Sequence, residues 1–174
     1  EASSGVVKLG ASRTLTSSKH MTLNATMITA RTQCGLSARA GTLSIEGQWS
    51  MSAGTLAASA SSASLNGDIV VATSGDAVFD IEHAIDFVSP TTWTVAGALK
   101  LHAMSITSKA ATAKVQGLVL VNVTDGWVAS SGSVVIQGST LTLSSDLITT
   151  SSGDVSLSSA GVLTMTQSRS VTSA

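Results

Sequence analysis

The chain has 174 residues, 43% of them hydrophobic and only 11% charged, with a net charge of −1. That balance supplies no global field to select nucleic acid or an anionic membrane, and no stretch approaches the ~18 apolar residues of a membrane span. Aromatic residues at 3% and a single proline, Pro90, suit a thin, regular core better than a large irregular one.

From its start the chain is rich in Ser, Thr, Ala and Gly. Such a composition also occurs in disordered segments, but here the apolar residues are regularly spaced and the mean hydropathy is positive. Residues 1–39 hold Lys8, Arg13, Lys19, Arg31 and Arg39 against Glu1 alone. Residues 40–99 hold Glu46, Asp68, Asp76, Asp80, Glu82 and Asp86 and no base; Lys100, Lys109 and Lys114 follow. Such bands suit axial stacking or docking, although an unevenly charged, solvated surface is the preferred reading. Cys34 is the single cysteine, which leaves no intrachain disulfide and no cysteine metal cluster. No signal peptide is visible, and a start at Glu1 rather than Met reads as a fragment or processed piece.

One phrase recurs along the chain: glycine, then apolar or alanine residues at the second and fourth positions after it. It begins at Gly5, Gly41, Gly47, Gly54, Gly67, Gly75, Gly97, Gly117, Gly132, Gly153 and Gly161, 11 of the 15 glycines. Residues 10–40 match it poorly. Each phrase predicts a short strand, because side chains two apart share a face, with glycine at a corner where positive φ is cheap. A helix is excluded, since apolar residues recur at two rather than at three and four. Between Ile69 and Ala103 the beat is strict: Ile69/Val71, Ala77/Phe79, Ile85/Phe87, Trp93/Val95 and Leu101/Ala103 follow one another at eight residues. Val155/Leu157 and Leu163/Met165 repeat it.

A fixed short period marks a solenoid or fibrous array. Two geometries fit. One chain can wind three strands per coil of about 20–22 residues, or three chains can intertwine, each donating one strand per layer. The strict octads favour the second. At ~4.7 Å per strand the first would be roughly 35 Å long and the second roughly 100 Å.

The runs Gly67-Asp-Ile-Val-Val-Ala-Thr-Ser-Gly75-Asp-Ala-Val-Phe, Gly97-Ala-Leu-Lys-Leu-His-Ala and Gly153-Asp-Val-Ser-Leu-Ser-Ser-Ala-Gly161-Val-Leu-Thr-Met resemble the C-terminal β-helical region of VgrG-type spikes and phage baseplate spike proteins. The resemblance covers roughly 41–174 and contains no single diagnostic motif. It implies a trimeric needle in a contractile injection apparatus. Gly41-Thr-Leu-Ser-Ile and Ala53-Gly-Thr-Leu-Ala-Ala-Ser-Ala are similar to the repeats of filamentous-haemagglutinin-like secreted adhesins. That resemblance implies a single-chain β-helix with coils near twenty residues.

Chemistry is sparse. His20, His83 and His102 show no metal-ligand spacing, although the alternation through Ile85 would turn His83 inward, where a trimer would present it three times. Asp80 and Glu82, on one strand face opposite Ile81, offer oxygen ligands to Ca²⁺, but a solvated outer face is the preferred reading. No Gly-x-Ser-x-Gly elbow, phosphate loop or basic-aromatic patch is present. Trp49 and Trp93 fall on inward positions. Trp127, after Asp125-Gly126, fits a corner, with core packing its preferred role. Asn24-Ala-Thr26 and Asn122-Val-Thr124 are sequons. Pro90 belongs at a corner or edge, because it has no donor for a ladder.

The expectation is therefore one repetitive all-β domain over 1–174, with 1–40 less regular and 41–174 clearly repeated. The fold class is a β-helix or β-solenoid rod of short stacked strands, with an intertwined homotrimer as the favoured form. Trp49, Met51, Ile69, Val71, Phe79, Ile85, Phe87, Trp93, Val95, Leu101, Val155, Leu157, Leu163 and Met165 form the core. Gly67, Gly75, Gly97, Gly117, Gly153 and Gly161 form corners. No catalytic, cofactor-binding or metal-binding residue is nominated. The expected role is a non-enzymatic spike or needle, or alternatively a segment of a secreted or surface adhesin. It would be extracellular or part of a virion or secretion apparatus. Its partners would be structural proteins at the rod ends, with neither nucleic acid nor stable membrane insertion.

Overall fold

The computed structural model describes residues 6–172 except 11, 73, 145, 150–152 and 167–170. Each recurring phrase becomes a corner followed by a strand. Among the described residues there are seventeen strands, from Val6–Leu9 to Val171–Thr172, every pair of them parallel, and no helix. The longer ones, such as Cys34–Met51, bend through corners and contribute to more than one face.

The chain is a three-faced β-solenoid. On the first face Val7, Ile28, Trp49, Ile69, Trp93, Ala113, Ile136 and Leu157 stack in one row. The second face stacks Leu15, Leu36, Ala58, Phe79, Leu101, Val121, Leu143 and Met165. The third stacks Met21, Leu43, Ala63, Ile85, Ile106, Trp127, Leu147 and Val171. Register partners lie between 20 residues apart, as for Trp49 and Ile69, and 24 apart, as for Ile69 and Trp93. Residues 10–40 join the same ladders as the rest, through Leu15 on Leu36 and Leu23 on Ile45.

The octads thus have a definite use. Ile69, Ala77 and Ile85 open one strand on each of three successive faces, and Trp93 then lies directly on Ile69. The neighbour of each strand is the same chain one coil further on, as the single-chain geometry requires. Eight rows of the first face at ~4.8 Å per step give a rod of roughly 35 Å.

The interior is one continuous apolar column. Trp49, Met51, Ile69, Val71, Phe79, Ile85, Phe87, Trp93, Val95 and Leu101 are all buried. Full burial of such side chains stabilises by ~1.5–3 kcal/mol each. Near mid-rod, rings from all three faces meet: Phe79 and Trp93 at 5.0 Å, Phe87 and Trp93 at 5.5 Å, Phe87 and Trp127 at 6.0 Å between centroids. Two expected core pairs lie differently. Val155 and Leu157 are only half-covered, and Leu163 and Met165 are 43% and 38% exposed. They occupy inward rows, but they belong to the last described coil, and no further coil roofs them.

All six expected corner glycines lie at corners between strands. One corner is a stack. Gly97 N donates to Gly75 O (2.9 Å), Gly117 N to Gly97 O (3.0 Å), Ser139 N to Gly117 O (2.9 Å) and Gly161 N to Ser139 O (2.8 Å). A Cβ on Gly97 would stand 2.6 Å from the Gly75 carbonyl oxygen, so glycine is required there by close backbone approach. At the corner before Ile69 the reason is different: Gly67 has φ +148°.

Candidate functional site: corners and outer ladders

The Gly-Asp pairs place carboxylates where they tie coils together. Asp68 Oδ1 accepts the backbone N–H of Thr92 at 2.7 Å, and Asp76 Oδ1 accepts that of Ala98 at 2.7 Å. Each aspartate reaches one coil along the rod and satisfies a donor that the turning chain leaves outside the ladder. Sequence reading took aspartate only as a corner residue. The signal it missed is that Asp follows Gly in three of the phrases, at positions 68, 76 and 154. At the third the bond runs the other way: Asp154 N donates to Ser133 Oγ at 3.0 Å.

The outer surface of the second face presents an unbroken polar row. Thr16, Ser37, Ser59, Asp80, His102, Asn122 and Ser144 stand one above another, and Ser144 is hydrogen-bonded to Thr166. Ser59 Oγ donates to Ser37 Oγ at 3.2 Å, and His102 Nδ1 lies 3.8 Å from Asp80. Similar pairs link coils elsewhere: Asn24 Nδ2 donates to Glu46 (2.8 Å), Thr107 Oγ1 to Asp86 (2.8 Å), and Thr42 N to His20 Nδ1 (3.1 Å). These ladders satisfy the surface and hold register, as cross-strand pairs do in any sheet.

His83 does not point inward. Its side chain is 56% exposed, beside Ser61 (3.0 Å) and Glu82 (3.9 Å). The strand register shifts between Asp80 and Ala84, where the chain rounds a corner, so counting by twos from Ile85 fails. His102 faces out, and Asp80 and Glu82 are exposed on one side. Trp127 is buried, and its indole N–H donates to Ser108 Oγ at 3.0 Å. Trp49, equally buried, finds no acceptor for its indole N–H.

Among the described residues no three His, Cys, Asp or Glu side chains come close enough to hold a metal ion. Cys34 is inside the rod, in the row of Leu56, and burial pushes its thiol above the ordinary value. The grooves are shallow. One of about 370 Å³ is lined by Val71, Val95 and Val115 with Thr94, Lys114 and Gln137. Another, of about 340 Å³, lies between Ser59, Ala60, Asp80 and Glu82. Neither brings together a nucleophile, a base and an oxyanion donor. Comparison with protein-family models, with curated proteins and with solved structures finds no match.

Proposed function

We propose that this chain is a non-catalytic structural rod, a β-solenoid segment of a secreted or surface-exposed filamentous protein, which holds other regions at a fixed distance. The observation that supports this reading is the closure of every ladder on the same chain at 20 to 24 residues. A self-contained coil gives stiffness without a partner, as a spacer needs. The polar ladders and corner carboxylates serve register rather than chemistry. A second reading, the spike or needle of an injection apparatus, keeps the octads from Ile69 to Ala103 and needs a homotrimer with structural partners at its ends.

Two measurements test the proposal. Spin labels at Lys8 and Ser158, on one outer row of the first face, in a Cys34→Ala background, should give one narrow distance near ~35 Å. A broad distribution overturns the rod. Antibodies against the chain should label surface filaments or secreted material of the source. Label at the tip of contractile particles would favour the needle instead, and confinement to the cytosol would sink both.

A further inference from the structure

The first and last described coils are open. Leu163, Met165 and Val171 are exposed, although their rows run inward along the rest of the rod. At the other end Val7, Leu9, Leu15, Met21 and Leu23 are only partly covered.

The backbone points the same way at every coil step. An inward residue donates its N–H to the carbonyl just before its partner in the next coil: Leu56 to Asp76, Ala77 to Ala98, Val134 to Asp154, Leu141 to Val162. Its carbonyl, at the end of a strand, accepts from the next coil in turn: Val71 from Ala96, Leu143 from Thr166. In a parallel ladder alternate residues serve opposite neighbours. The amides of Leu157, Leu163 and Met165 therefore face off the C-terminal end, and those of Lys8, Thr14 and Thr16 face off the N-terminal end.

The ends also agree in phase. From Leu157 the inward row returns at Met165 and Val171, steps of eight and six residues. From Val7 it returns at Leu15 and Met21, again eight and six. Most intermediate coils differ: the steps are nine and five through Trp49, Ala58 and Ala63, and seven and four through Ile136, Leu143 and Leu147. Charge is complementary too. Residues 1–39 carry five bases and one acid, whereas residues 115–166 carry Asp125, Asp146 and Asp154 and no base.

We propose that the rod docks head to tail on a second copy of this chain. Val7, Leu15 and Met21 of one copy continue the rows of Leu157, Met165 and Val171 of the other, and the open strands pair in parallel as they do at every internal step. Arg13 falls in register with the row of Leu163 and is the one charged position in that seam. The inference rests on coil geometry and holds whether or not the rod is a surface spacer.

Sedimentation velocity and negative-stain microscopy of the 174-residue chain test it. Mass should rise with concentration, and the particles should be unbranched rods of constant width whose lengths are multiples of one chain. A variant with Leu163→Lys and Met165→Lys blocks one end at exposed positions. A variant with Val7→Lys and Met21→Lys blocks the other. Each alone should be monomeric with an unchanged circular-dichroism spectrum, and an equimolar mixture should form dimers of twice the monomer mass. A wild-type chain that stays monomeric at its highest soluble concentration overturns the proposal. So does association that survives both end blocks, which would mean lateral contact.

Discussion

The ring of Phe87 meets that of Trp93 edge-on, at 88° and 5.5 Å between centroids, although the two residues lie on different faces of the rod. Phe79, from the remaining face, closes on the same indole at 5.0 Å. One side chain therefore bridges three walls. Trp93→Ala should destabilise the protein by ~3–5 kcal/mol, the range for emptying a buried aromatic site. Urea unfolding followed by circular dichroism would show it as a lower midpoint; an unchanged midpoint would mean that the walls hold without the ring.

The corner stack gives a paired test. Gly97→Ala sets a Cβ against the Gly75 carbonyl and should cost about 1–3 kcal/mol. Gly10→Ala meets nothing within 4 Å and should be nearly neutral. Equal thermal midpoints for the two variants would show that the corner relaxes around the added methyl.

Asp76→Ala removes the acceptor for Ala98 N–H and should cost about 1–3 kcal/mol. Asp76→Asn keeps an oxygen and should recover part of it. Hydrogen exchange reads the effect locally, since the Ala98 amide should lose protection in the alanine variant and keep more of it in the asparagine variant. Uniform protection across all three proteins would assign that amide another acceptor.

The two buried indoles differ in their partners. Trp127→Phe leaves Ser108 Oγ buried without its donor, whereas Trp49→Phe removes a donor that has no acceptor. The first should be the costlier by roughly 1–2 kcal/mol. Chemical denaturation of both variants side by side decides the order.

Burial raises the pKa of Cys34 above its ordinary value of 9.0. Below that value folded and unfolded chains both hold the proton, so the thiol adds no pH dependence. As pH climbs past it the unfolded chain releases the proton first, and stability falls. Cys34→Ala should remove that alkaline loss, and the native thiol should resist alkylation until the protein is unfolded. Rapid labelling of the folded protein would contradict the burial.

Much of the fold was legible because a strand shows its faces in steps of two. Ile69/Val71, Trp93/Val95 and the corner glycines could be read without coordinates. What could not be read lies where the step breaks. His83 and Trp127 both follow register shifts, at Asp80/Ala84 and Val123/Gly126, and a period of two cannot count across a shift. The octads could not say whose strand lies beside Trp93, since local spacing is the same for one chain or three; the register with Ile69 supplies that. Leu163 and Met165 obey the inward pattern but are exposed, because burial depends on a coil above them and not on their own spacing. The candidate site was legible only as residue types. That Asp68 and Asp76 tie successive coils needed the coil length, which no single phrase contains.

Leu99 pairs with Val119, and Leu101 with Val121. Cutting out residues 99–118 would therefore join Ala98 to Val119 at an equivalent point of the coil, with cross-section and corner type unchanged. A duplication of the same segment would do the reverse. Each event alters the reach of the molecule by one strand spacing, ~4.8 Å, and by nothing else. The molecule is graduated like a ruler, and its length can be reset in whole divisions by copying errors in its gene, with no new solution to the folding problem.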